Sequence, residues 1–281
     1  MNQSSIQFIE YQKKLIEILS FFDKFCRDND IKYTVIDGTL IGAVRHKGLI
    51  PWDGDVDVAL TPTEFAKLKR AFNNYSGKYY LNYLPNHTFQ KRGRKHDFPT
   101  LTAKVIDKTC SSSIFGIDVF TIDFLGNDYE YAKKTIKIYK RFNSIIKYIV
   151  SIHIPEGNIY KRTIAIILYP FTTILSKLFT PIVEQMYLNF RKRRIDNNKE
   201  DCKYFTIEPY LNRFGIEPNT ILKDGYINMD FEDFQVMAVS NFDAYLIPTY
   251  GDYMMLPPEN KRIPYPSEDI LTKCKFSETT D

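Results

Sequence analysis

Three carboxylates lie two residues apart at Asp53, Asp55 and Asp57. Asp55 and Asp57 alternate with Val56 and Val58, and this period-2 pattern predicts a half-buried strand on which both aspartates face the same side. Two like charges on one face repel each other, so a divalent cation is their natural counter-charge. Mg²⁺ prefers oxygen ligands and keeps places for water and substrate phosphates, so the pattern indicates nucleotide or phosphoryl chemistry.

A glycine and a small hydroxyl residue, Gly38 and Thr39, follow the short apolar run 33–36 upstream of these aspartates. This order predicts a strand and then a turn whose backbone N–H groups approach phosphate oxygens, with a helix N-terminus adding positive potential. A cationic cluster, Arg45-His46-Lys47, lies between the turn and the acidic segment. From the residues alone, this cluster is either a solvated surface or a contact for the diphosphate of a nucleotide donor.

The elements that must position these residues follow from hydrophobic periodicity. Apolar residues at helical spacing predict an amphipathic helix over about 5–29, and Thr61 followed by Pro62 predicts the N-cap and first position of another helix. Strands are predicted over 31–36, 79–84, 101–106 and 114–124, with a short helix over 40–44. In the strand 114–124, Asp118 lies on the face opposite to Ile117 and Val119.

The character of the chain changes between about residues 129 and 194, which are rich in Ile, Tyr, Lys and Phe and predict two or three helices. The stretch 163–176 contains no charge, but its 14 residues and its proline make it too short and too interrupted to cross a bilayer. Two alternatives stay open: a buried helix of a second subdomain, or an interfacial helix flanked by basic residues.

Charge and cysteine content exclude several classes of function. Lys and Arg number 38 against 34 Asp and Glu, a net charge of +4, which is too small a basic excess to predict nucleic acid as a partner. The four cysteines are widely scattered without a C-x-x-C spacing, so neither a zinc site nor a disulfide framework is expected. With no pattern of a secretory signal at the start, we expect a cytoplasmic protein, with peripheral attachment to the inner face of the cytoplasmic membrane as the alternative.

The string DGTLIGAVRHKGLIPWDGDVDV, residues 37–58, resembles the signature of the LicD family, which includes bacterial phosphocholine transferases and to which the catalytic domains of fukutin and fukutin-related protein are related. FGIDVFTIDFL (115–125) and YGDYMMLPPENKR (250–262) also resemble that family. One departure is Gly54, where the family often has another acidic residue; it is expected to face away from Asp55 and Asp57.

The resemblance implies an α/β (α+β) fold of the nucleotidyltransferase, DNA polymerase β-like type, a mixed sheet flanked by helices with a helical insertion. It divides the chain into a catalytic core (1–128), an insertion facing the membrane or the acceptor (129–200), and a part that completes the catalytic domain (201–281). It implies one or two Mg²⁺ ions, with Mn²⁺ as the substitute, held by Asp55, Asp57 and Asp118; Asp123 competes for the third place. The donor phosphates are assigned to Gly38, Thr39, Arg45 and Lys104.

The reaction implied by the resemblance is the transfer of phosphocholine, or a related substituted phosphate, from CDP-choline to a hydroxyl of a cell-surface glycan such as lipopolysaccharide, teichoic acid or capsule. The acceptor would be a free or lipid-linked glycan. A nucleotidyltransferase, or a transferase using another CDP-alcohol, is the alternative on the same fold. A non-catalytic glycan-binding scaffold is the third, and the clustered like charges argue against it.

Overall fold

The computed structural model describes residues 3–83, 103–110, 115–150, 163, 179, 182–183, 185–193, 201–207, 216–266 and 271. Helices and strands are both well represented among these residues. The helices are α1 (Gln3–Asp28), α2 (Asp37–Ile41), α3 (Pro62–Asn73), α4 (Tyr129–Val150), α5 (Thr220–Lys223) and α6 (Phe242–Tyr250). The strands are β1 (Thr34–Val35), β2 (Asp57–Leu60), β3 (Tyr79–Asn82), β4 (Ala103–Asp107), β5 (Gly116–Gly126), β6 (Tyr204–Ile207), β7 (Glu217–Pro218), β8 (Tyr226–Phe231) and β9 (Phe234–Val239).

A mixed sheet of seven strands forms the centre of the fold, in the order β1-β2-β5-β4-β3, with β6 on β5 and β7 on β6. β2 and β5 run parallel, whereas the other pairs are antiparallel. β8 and β9 form a separate hairpin, and Val239 of β9 donates its N–H to the Thr34 hydroxyl of β1 at 3.0 Å. The α+β architecture with a mixed sheet is therefore confirmed.

The amphipathic helix α1 covers the sheet, as its periodicity predicted. Five residues of its inward face are fully buried: Leu15, Ile18, Leu19, Phe22 and Cys26. The start of α3 is also confirmed, because the Thr61 hydroxyl accepts the N–H of Glu64 at 3.4 Å and Pro62 takes the first helical position.

Two sequence-based boundaries near the site were wrong. The first strand has only two residues, because the Ile31 N–H closes the end of α1 by donating to the Cys26 carbonyl at 2.9 Å. The helix predicted to begin at Leu40 begins at Asp37, so Gly38 and Thr39 form its first turn and not a preceding loop; a π-helical turn, Gly42–His46, continues it. The Leu40 N–H reaches the Ile36 carbonyl at 3.1 Å, which closes this early helical turn.

The division of the chain at 129 and 201 stays a prediction, but the described parts of the middle region are helical. α4 packs against the helical stretch 185–193, where Tyr139 contacts both Tyr187 and Phe190 edge to face. β6 then returns to the central strand β5. Apart from Thr163, the uncharged stretch 163–176 lies outside the described residues, and among the helices that are described none is long and apolar enough to cross a membrane.

A buried carboxylate at the end of β4 ties α1 to the sheet. The Asp107 side chain is fully buried and lies 2.8 Å from the Lys14 ammonium and 3.1 Å from the Lys78 ammonium. Its other oxygen accepts from the Thr109 hydroxyl and N–H. Although burial alone would raise its pKa, these hydrogen bonds prevail and lower the pKa of Asp107 to about 2.

The Asp107→Asn variant is expected to have a free energy of unfolding about 2 kcal/mol lower near neutral pH. The reason is that the pKa of Asp107 is lower in the folded state than its unfolded value of about 3.8, so the ionised carboxylate stabilises the folded state. This contribution is complete above the unfolded pKa and disappears as the pH falls from about 4 to about 2. Urea denaturation at several pH values measures it. Asp28→Asn is the control, because its carboxylate pairs with Lys24 in an exposed position and should cost about 0.5 kcal/mol or less; equal losses for both variants would contradict the assignment.

Candidate active site

The two aspartates predicted from different strands lie side by side. Asp57 opens β2, Asp118 lies in β5, and the parallel pairing places the two residues directly opposite each other. The Asp118 N–H donates to the Val56 carbonyl at 2.8 Å, which locks this register. Residues at matching positions of neighbouring strands project from the same face of a sheet, about 5 Å apart at the backbone. The structure therefore brings two of the three proposed metal ligands together.

The carboxylates of Asp57 and Asp118 lie close enough for their negative charges to repel each other. Burial raises the pKa of Asp57 well above its ordinary value, and the charges of Asp55 and Asp118 raise it further. Burial also raises the pKa of Asp118, while Lys104 opposes the rise and Asp55 adds to it. Asp55, the third proposed ligand, is exposed, and its charge acts on both half-buried partners. A bound cation would remove this repulsion.

Lys104 lies in β4 opposite Asp118, and its ammonium is 2.9 Å from a carboxylate oxygen of Asp118. The side chains of both residues are about one-fifth exposed, at 20% and 21%. Lys104 was assigned to the donor phosphates; the structure places it beside a proposed metal ligand, where it offsets part of the negative charge. A phosphate contact by the same ammonium stays a prediction.

Thr39 and Gly38 bring the start of α2 against the acidic segment. The buried Thr39 hydroxyl accepts the backbone N–H of Asp57 at 2.9 Å, so it positions the aspartate directly. At Gly38, a Cβ would lie 2.3 Å from the Asp53 carboxylate, so only glycine allows this approach. The phosphate-binding role assigned to both residues stays a prediction.

The loop that carries Asp53 and Gly54 is held from two sides. On one side, α1 binds its carbonyls: the Tyr11 hydroxyl donates to Gly54 at 2.7 Å and the Gln12 amide to Asp53 at 2.8 Å. On the other side, the Tyr265 carbonyl approaches so closely that a Cβ at position 54 would lie 1.8 Å from it. Any side chain at this position would collide with the C-terminal segment, which explains the departure from the acidic residue common in the LicD family.

Asp53 belongs to the same cluster of charges. Burial and the neighbouring Asp55 charge raise the pKa of Asp53 to about 8.

Asp123, the competitor for the third ligand position, pairs with other residues away from Asp57 and Asp118. Five residues separate it from Asp118, so the two side chains lie on opposite faces of β5, and Asp123 is fully buried in an ion pair with Arg191 at 2.6 Å and a hydrogen bond from the Tyr139 hydroxyl. Its placement at a strand end was wrong, because pairing with β6 extends β5 to Gly126.

Arg45, the predicted diphosphate contact, binds backbone carbonyls of the segment 250–262. Its guanidinium donates to the carbonyl of Tyr253 and, at 3.2 Å, to that of Met255. Burial and the nearby charge of Arg262 lower the pKa of Arg45. Arg262 itself lies 5.5 Å from the ring centre of Trp52, next to the acidic loop. The segment 250–262 therefore borders the site, and a phosphate contact of Arg45 stays a prediction.

Sequence reasoning missed two carboxylates that support the site. Buried Asp37 accepts hydrogen bonds from the hydroxyls of Tyr245 at 2.9 Å and Tyr250 at 2.8 Å, both on α6. Glu232, at the tip of the β8–β9 hairpin, accepts the N–H of Leu49 at 3.1 Å. No local pattern indicates either contact, because the partners are between 183 and 213 residues away along the chain.

The chemistry of these donors fits a hard divalent cation in an open site. Within the parts of the chain that the structure describes, no three Asp, Glu, His or Cys side chains converge into a ready-made metal site. The core is thus the pair Asp57 and Asp118, with Asp55 exposed beside it. Mg²⁺ is commonly held by one or two carboxylates together with waters and substrate phosphates, so this set is sufficient.

Comparison with known proteins shows what the chain is similar to. Residues 30–147 match the family model described as LicD/FKTN/FKRP, nucleotidyltransferase domain, and this span contains every predicted site residue. Over residues 30–147 the chain is therefore similar to the LicD family. The lipopolysaccharide cholinephosphotransferase LicD of Haemophilus influenzae is 27% identical over 265 residues, which cover 91% of this chain and 94% of that protein. An uncharacterised protein of Rickettsia prowazekii is 41% identical over 46 residues, 16% of this chain and 17% of its own length.

Thr39→Val is expected to release the Asp57 N–H, because valine keeps the shape of threonine without its hydroxyl. An unsatisfied donor costs about 1 to 3 kcal/mol, so hydrogen exchange of the Asp57 amide should accelerate about tenfold or more relative to the other amides of β2. Amide exchange followed by NMR measures this. Thr39→Ser, which keeps the hydroxyl, should show no selective acceleration. If the Asp57 amide of Thr39→Val exchanged no faster relative to the other β2 amides than it does in wild type, Thr39 would not position Asp57.

Proposed function

We propose that this LicD-family chain is a phosphocholine transferase that modifies a glycan of the cell surface. The observation that carries the proposal is the side-by-side placement of Asp57 and Asp118 inside the LicD-matching domain. A relative that aligns over nearly the whole of both chains bears the name lipopolysaccharide cholinephosphotransferase, which supports the same group and acceptor class.

The donor that we propose is CDP-choline. An oxygen of the acceptor hydroxyl attacks the phosphorus that carries choline, the bond from that phosphorus to the bridging oxygen breaks, and CMP leaves. The proton of the hydroxyl passes to one of the aspartates. Mg²⁺, or Mn²⁺ in its place, would be held by Asp57, Asp118 and Asp55 and would supply charge neutralisation at the reacting phosphates.

The residues of the chain have distinct tasks in this scheme. Thr39 fixes the backbone of Asp57, and Lys104 offsets charge at Asp118. Arg45 and the segment 250–262 border the site, where a fixed guanidinium suits diphosphate oxygens. Preorganised charges of this kind usually make the largest contribution to rate.

The deciding experiment measures CMP release from CDP-choline with Mg²⁺, with and without lipopolysaccharide or other glycan acceptors. Asp57→Asn and Asp118→Asn should each reduce acceptor-stimulated release at least about 100-fold, since each removes a charged ligand of the proposed metal. Asp30→Asn is the matched control: Asp30 is exposed and has a φ of 50°, which asparagine also adopts readily, so its activity should be unchanged.

The same assay separates the alternative reaction on this fold. Absence of CMP release, together with absence of CDP-choline binding by calorimetry, would exclude the choline donor. Metal-dependent turnover of another CDP-alcohol, or release of pyrophosphate from a nucleoside triphosphate, would then assign the site to that substrate instead.

A further inference from the structure

The outer face of α4 carries exposed basic side chains that have no role in the proposed transferase reaction. The inner face of this helix is buried against the helical stretch 185–193 and includes Ala132, Thr135, Ile136 and Tyr139. The opposite face carries a set of exposed cations, here named the α4 basic face: Lys133, Lys134, Lys137, Lys140 and Arg141. Their spacing of three and four residues aligns them in one stripe about 12 Å long.

The α4 basic face carries a local excess of positive charge. Its five cations are accompanied by one exposed carboxylate, Glu130, so this face alone equals the net charge of +4 of the whole chain. On this face of the described helix, Lys133 pairs with Glu130 at 3.9 Å, and both side chains are about two-thirds exposed. A pair this long and this exposed neutralises little charge.

Apolar and amphipathic side chains lie at the ends of the stripe. Ile145 is 46% exposed, one turn beyond Arg141, and Tyr129 is 52% exposed at the other end. An exposed isoleucine gains nothing beside the phosphates of a nucleic acid, whereas at a bilayer it can enter the boundary between headgroups and acyl chains. Tyrosine is likewise favoured at that boundary, and lysine and arginine are attracted to anionic headgroups.

We propose that the α4 basic face docks the protein on a membrane surface that contains anionic lipid. The helix would lie along the surface, with its cations at the headgroups and its inner face still packed on the protein. The contact that we propose is peripheral, because the inner face of α4 stays packed on the protein. The proposal does not depend on the transferase reaction, because none of these residues belongs to the acidic site.

The test is co-sedimentation of the full chain with vesicles of phosphatidylcholine alone or mixed with phosphatidylglycerol. Wild type should bind the mixed vesicles at low salt and dissociate at high salt, since the attraction is screened. The triple variant Lys133→Gln, Lys137→Gln, Arg141→Gln should bind at least tenfold more weakly. The matched control removes three exposed lysines elsewhere, Lys13→Gln, Lys24→Gln and Lys223→Gln, and should bind nearly as wild type.

Circular dichroism of both triple variants verifies that the helices are intact. Indifference of wild type to phosphatidylglycerol, or equal weakening by both triple variants, would overturn the assignment of this face. Binding to duplex DNA or RNA in place of vesicles, abolished by the α4 variant, would overturn the membrane partner in favour of a nucleic acid. Acceptor-stimulated CMP release in detergent solution should be unchanged in the α4 variant, which separates docking from catalysis.

Discussion

The acidic site is built on the parallel pairing of β2 and β5. It places Asp57 beside Asp118, where two carboxylates repel each other in partly buried surroundings. The strands hold this arrangement because the adjoining residues Val58 and Val119 are fully buried in the core. Hydrophobic burial, together with the ladder bonds, thus offsets a local electrostatic cost. Such opposition between local and global stability is typical of functional sites.

Several distant elements converge on the acidic loop, and each holds a different atom of it. α1 binds its carbonyls through Tyr11 and Gln12, Thr39 binds the Asp57 N–H, and the Tyr265 backbone closes over Gly54. The loop is therefore shaped by hydrogen bonds and close packing, while its own strand contributes only four residues. This support is what a site needs if its charged groups are to stay in place while substrates bind.

Local patterns predicted what local forces determine. The heptad-like apolar face of α1, the Thr61-Pro62 helix start and the face occupied by Asp118 were all readable, because each depends on neighbours within a few residues. The early start of α2 was not readable, since the helix is completed by contacts from α6 to Asp37. Nor did the pattern around Arg45 indicate that its guanidinium would bind carbonyls of Tyr253 and Met255. The acidic residues were indicated by their alternation and by the family resemblance, whereas the supporting carboxylates Asp37 and Glu232 were not.

The long sequence separations around the site have a consequence for biosynthesis. Asp37 needs Tyr250, Arg45 needs Met255 and Leu49 needs Glu232, at separations of 213, 210 and 183 residues. At ~5–20 residues per second, roughly ten to forty seconds pass between synthesis of the acidic strand and synthesis of these partners. During that interval the clustered aspartates can be held by Tyr11, Gln12 and Thr39, which are already synthesised, but not by the later elements. The candidate site thus receives these contacts only after residues 232–255 have been synthesised, so a chain that stops before them would carry the acidic residues without this support.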